Sequence, residues 1–183
     1  MDPRSRRSRD SLRGAVLTLA AQMPIGEVTA SAICIEAGVT RDTFYRHAAN
    51  PEDLLADALS AEIDEIMARL PEADAIGDAE RALLTHVREH ADVYRGAMNP
   101  ILAAPVRAVI EGSIRSGLLV WAELHPHIVP IDIAGDASAM RIAVSYASAG
   151  TVGAIEEWLR SGDSDVESAV RMILAASPEW WLR

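Results

Sequence analysis

Between residues 41 and 47 the chain reads RDTFYRH, and all but Phe44 of these side chains carry a donor, an acceptor or a polar ring. Arg41 and Arg46 present planar guanidinium forks, which match the O6 and N7 acceptors of guanine in a major groove. Asp42 is suited to base edges, while Thr43, Tyr45 and His47 are suited to phosphates or to supporting contacts. The chemistry such a set performs is non-covalent recognition of duplex DNA. The same residues on a solvated helical hairpin would do nothing, and residue type alone leaves both readings open.

The surrounding segment, Thr29 to Leu55, supplies the elements that would position these groups. Ala30, Ile33, Cys34 and Ala37 recur at helical spacing, and Gly38 follows where a left-handed residue ends a helix at no steric cost. Val39 plugs the turn, and Thr40 is placed to cap a second helix with Asp42 in its first turn. Phe44 points back into the small core. Two short helices joined by a tight turn, with the second one polar, constitute a helix-turn-helix. Thr29, Ser31 and Thr40 add hydroxyls at the helix starts.

The stretch TASAICIEAGVTRDTFYRH, running on into NPEDLL, resembles the DNA-binding signature of the TetR family of bacterial transcription regulators. The match covers about 30 residues. Two positions depart from the family pattern: Ala48 stands where an aromatic is usual after the His, and Pro51 where a basic residue is usual before the leucine pair. The first thins the small core; the second removes a phosphate contact while suiting the first turn of the next helix.

Composition agrees with an all-α class. The chain has 183 residues, 50% of them apolar, with few aromatics and much Ala, Leu, Ile and Val. Ala and Leu favour helices, and no long alternating run argues for strands. The net charge of -10 is unevenly placed. Residues 1 to 47 hold seven Arg against five acids, a net of +2, and the remainder holds ten Arg against 22 acids, a net of -12. A basic head on an acidic body fits a DNA binder whose loose contacts are discouraged by repulsion. There is no Lys, so basic phosphate contacts fall to Arg or a charged His. The single Cys34 lies on an apolar helix face and is expected to pack. No apolar run of membrane-spanning length and no signal-peptide pattern is found, so a cytoplasmic location is expected.

Two domains are expected, an arm and helix-turn-helix head over 1–48 and a helical effector-binding and dimerisation body over 49–183. The opening MDPRSRRSRDS is basic and polar and reads as a flexible arm. Leu12, Val16, Leu19 and Met23 predict a supporting helix that stops before Pro24. After Asn50 and Pro51 a helix is expected to Leu70, ended by Pro71, with the loop PEADAIGDA beyond. At about 20 residues it would be about 30 Å long, enough to carry an effect from body to head. A helix through Leu83, Val87 and Ala91 closes near Tyr94, with a short helical piece before Asn99-Pro100. Another follows Pro105 with Val106, Ile110, Ile114, Leu118 and Trp121 as its stripe. HPHIVPIDIAGD is a broken connection. Two last helices cover about 137–160 and 164–176, and the first carries many small residues, including Gly150 and Gly153, whose cost mid-helix requires close packing. AIEEWLRSG and the following helix resemble the family's terminal hairpin, which pairs with its copy in a second subunit; packing within the chain is the alternative. Trp180 and Trp181 fit either that interface or a cover on the body.

No phosphate loop, dinucleotide glycine pattern, nucleophile elbow or zinc-spaced Cys cluster is present, so no enzyme and no cofactor is expected. His86 and His90 lie four apart and could share a metal with His125 and His127, but no third ligand is convincing and no metal site is assigned. The family resemblance implies an apolar effector pocket in the body, for which His86, His90, Tyr94, Met98, Ile110, Ile114, Trp121, Met140 and Tyr146 are the candidates, each equally suited to core packing. The resulting expectation is a homodimeric repressor that binds a pseudo-palindromic DNA operator and is released by a small-molecule effector. A helical ligand- or protein-binding module that has lost operator recognition is the alternative.

Overall fold

The computed structural model describes residues 3–69 and 75–182. Nine α-helices account for most of the described residues: α1 (Pro3–Ala20), α2 (Ala30–Ala37), α3 (Arg41–Tyr45), α4 (Pro51–Met67), α5 (Ile76–Glu89), α6 (Ala91–Gly96), α7 (Ala104–Leu124), α8 (Ala137–Ser161) and α9 (Val166–Ala176). The all-α class is as expected. The chain forms two compact units, one of residues 1–62 with 90–109 and one of residues 63–89 with 110–183, so that both α4 and α7 begin in the first and finish in the second.

In the first unit the apolar stripe of α1 is buried through Leu12 and Val16, against a core that includes Ile33, Phe44, Leu55 and Leu59. Removing such side chains from water is worth roughly 1.5–3 kcal/mol each, which is what holds these short helices together. The basic opening is not a flexible arm: it is helical from Pro3, the proline occupying the first turn, and α1 ends at Ala20, leaving Met23 outside the helix and exposed. An ionic clamp accounts for the added order. Arg13 donates from Nε to Asp57 Oδ2 at 2.8 Å and from Nη2 to Oδ1 at 3.1 Å, and Arg9 Nε reaches Oδ2 at 3.1 Å. Burial pushes the Asp57 carboxyl up, but the two guanidinium groups outweigh it and hold the carboxyl down at about 2. Asn50 caps α4, its Oδ1 accepting from Asp53 N at 2.8 Å.

The helix expected to close near Tyr94 instead stops at Glu89, and α6 restarts after His90. Val93 and Tyr94 then pack into the first unit, where α6 meets α1 so closely that a Cβ on Gly96 would lie 2.7 Å from Ala20 O. Bending the chain at His90 permits this approach.

In the second unit Trp121, Ala122, Ile128, Val144 and Trp181 form a buried cluster. Asp136 caps α8 by accepting from Ser138 N and Ala139 N, Gly162 ends it at φ 74°, and Asp165 caps α9. Helix α5 packs on α9, where Arg81 Nε donates to Glu167 Oε1 at 2.6 Å across an exposed edge. Trp181 is 2% exposed and covers this core, with Trp180 stacked on it at a centroid distance of 3.9 Å. Of the expected helix end near Leu70 and the following loop, residues 70–74 lie outside the described residues, as do Met1, Asp2 and Arg183.

Candidate functional site

The turn between α2 and α3 has the geometry that its residues dictate. Thr29 caps α2, its side chain accepting from Ala32 N at 3.1 Å. Gly38 takes the left-handed conformation at φ 64°, and Val39 N closes the turn on Cys34 O at 3.0 Å. Thr40 Oγ1 then accepts from Thr43 N at 3.2 Å, starting α3. Phe44 is wholly buried and Cys34 nearly so, which anchors the pair of helices from beneath.

That anchor turns the rest of α3 outward. Arg41, Asp42, Tyr45 and Arg46 are exposed, Tyr45 by 61%, while Thr43 and His47 are half-buried. A network steadies them: Arg41 donates to Ser31 Oγ, Arg46 Nη2 donates to Thr43 Oγ1 at 3.0 Å, and Arg46 Nε lies 3.5 Å from Asp42 Oδ2. Exposed pairs of this kind are worth at most about 1 kcal/mol, so phosphates and base edges can displace them at low cost. Thr29, Ser31, Thr40 and the polar residues of 41–47 thus lie in one short segment of one unit, each exposed or half-buried.

The nine candidate effector residues are divided between the two units. In the first unit His90 Nε2 lies 3.2 Å from Glu62 Oε2, Tyr94 is buried with its phenol pushed up by burial and by Glu62, and Met98 lines a wide groove with Ile25, Leu102 and Pro105. In the second, His86 and Ile110 are buried, Trp121 and Met140 belong to the tryptophan cluster, and Tyr146 is 71% exposed. His125 Nδ1 donates to Trp121 O at 3.0 Å, and its ring lies 6.1 Å from that of His127.

Ile114 does line a cavity. Its volume is about 50 Å³, and its lining includes Ile76, Glu80, Leu83, Leu118, Leu174 and Trp181. Oε1 of Glu80 is buried with no hydrogen-bond partner among the described residues, and burial raises this carboxyl from 4.5 to about 7. Glu80 is not among the candidate residues above. The signal was its phase: it falls on the stripe of Ile76, Leu83 and Val87, where an acid has no structural use.

The outer side of α8 and α9 carries a second apolar surface. Ile142, Tyr146 and Met172 are exposed, and a groove of about 310 Å³ runs between Ala154, Trp158, Ala169, Met172 and Ile173. A Cβ built on Gly150 or Gly153 would meet nothing within 4 Å among the described residues.

No family profile and no curated protein matches this chain. Solved structures do. FadR from Bacillus halodurans, described as a fatty acid degradation regulator, aligns over 99% of this chain and 96% of its own with a TM-score of 0.66 at 15% identity. A tetR-family transcriptional regulator from Streptomyces coelicolor aligns over 98% and 92%, TM-score 0.53, at 17% identity. SmeT, solved in complex with triclosan, aligns over 92% and 90%, TM-score 0.53, at 16% identity. The fold is that of the TetR-type transcription regulators.

Proposed function

We propose that this chain is a DNA-binding transcription regulator that acts as a homodimer, represses from a pseudo-palindromic operator and is released by a small-molecule effector. The observation that carries the reading is the outward, Arg-bearing face of α3, set on a capped and buried helix-turn-helix. Arg41, Asp42 and Arg46 contact base edges, and Thr29, Ser31, Thr43, Tyr45 and His47 contact phosphates or support them, with Thr40 fixing the start of the reading helix. The head spans residues 1–48 and the effector-binding and dimerising body 49–183.

The exposed apolar side of α8 and α9 supports the second subunit. Exposed apolar side chains, open glycines and a groove on these two helices are features that a copy of the chain can cover, and two-fold pairing is the commonest solution. Dimeric helix-turn-helix proteins place their reading helices about 34–36 Å apart, one turn of DNA. An effector acts by favouring the body geometry in which that spacing is lost. The complex of SmeT with triclosan supports effector binding by this fold. Helix α4, continuous from one unit into the other, is the element suited to carry the effect.

Selection of bound sequences from a random duplex library, at two salt concentrations, tests the reading. Enrichment of a palindrome with half-sites about one turn apart is expected, with affinity falling as salt rises. Weak binding with no motif would instead favour a helical binding module without an operator.

A further inference from the structure

An acid in an apolar cavity needs a reason. Among the described residues lining this cavity of the second unit, Glu80 is the only one that ionises, and the walls formed by Met67, Ile76, Leu83, Ile114, Leu118 and Leu174 offer its Oε1 no hydrogen bond. Ser177, also at the wall, spends its hydroxyl proton on Ile173 O at 2.9 Å. The indole N–H of Trp181 is likewise buried without a partner among the described residues. A carboxylate oxygen buried without counter-charge costs several kcal/mol, and among the described residues no Arg or His lines this wall to offset it. Where packing alone is required, Gln or Leu at this position of α5 would serve better.

We infer that Glu80 is the polar anchor of this cavity and that the occupant is a compact apolar molecule bearing a cationic nitrogen, such as a small alkylammonium. The inference rests on the effector-responsive reading above and assigns the class of effector. An ammonium group donates to Oε1 and neutralises the carboxylate, while its alkyl part displaces water from the aliphatic wall. A volume of about 50 Å³ limits the occupant to a few heavy atoms unless the walls yield.

The test uses the full chain and three probes of matched size: n-butylammonium, 1-butanol and butyrate. Binding is followed at about pH 8 by calorimetry and by the fluorescence of the tryptophans. Butylammonium is expected to bind at least about tenfold more tightly than butanol, and butyrate least. Glu80→Gln is expected to lower butylammonium affinity at least about tenfold and to leave butanol binding within about twofold. Equal binding of the three probes, preference for butyrate, no butylammonium binding at about 10 mM, or an unaltered Glu80→Gln variant would each overturn the assignment. Should the variant lose its helical circular dichroism, the ranking of the three probes on the native chain decides. Operator selection without any probe scores the regulator reading separately, so failure of one does not count as failure of the other.

Discussion

Glu80 and Asp57 are two carboxylates that burial treats alike and partners treat differently. Burial acts to raise both; Asp57 has two guanidinium groups against it and settles at about 2, while Glu80 has none among the described residues and rises to about 7. The consequence for stability has opposite sign. Between about 4.5 and 7 the folded chain holds the Glu80 proton that the unfolded chain has lost, so stability falls as pH rises through that window and stays lower above it. The shift corresponds to about 3 kcal/mol. Glu80→Gln is therefore expected to stabilise the chain by up to about 3 kcal/mol at about pH 8 and to change little at about pH 4, as read by urea unfolding at the two pH values. An equal effect at both would mean that Glu80 is not held protonated by its surroundings.

Helix α1 is the element whose extent was least legible in the sequence. Leu12 and Val16 marked its core-facing part, but the polar run before them lacks apolar periodicity, and its helicity depends on Arg9 and Arg13 meeting Asp57 more than 40 residues away. No local pattern announces that contact. The helix-turn-helix was legible because its signals are local: Gly38, the two threonine caps and the single buried Phe44 lie within sixteen residues of one another. The break at His90 was hidden for the same reason as α1, since it depends on Gly96 approaching Ala20. Of the proposed effector residues, hydrophobic type was readable, but which helix faces enclose space was not; Ile114 lines the cavity while Tyr146 is exposed. Asp57→Asn tests the clamp. Its depressed carboxyl contributes stability that is complete above about pH 4 and is lost as pH falls through about 2. Discounted for solvent screening, the substitution is expected to cost about 1 kcal/mol near neutrality, with the difference from the native chain shrinking toward pH 2. A difference that persists at low pH would point to packing instead.

For the whole molecule, the proposed pairing through the apolar side of α8 and α9 makes DNA recognition depend on assembly. Placing a charge there leaves the buried stripe of Val144, Val152 and Ile155 untouched. Met172, 58% exposed, is the site to change. Met172→Glu is expected to give a folded monomer by sedimentation and to weaken operator binding at least about tenfold, since one head alone makes half the contacts. A variant that remains dimeric would move the interface elsewhere.

In the proposed function, the exposed face of α3 reads base edges from two symmetry-related heads. The most direct measurement is the library selection run in parallel on the native chain and on Arg41→Ala. The account predicts a palindrome from the native chain and, from the variant, loss of preference at one position in each half-site, at a cost of about 1–3 kcal/mol. An identical profile from both proteins would contradict it.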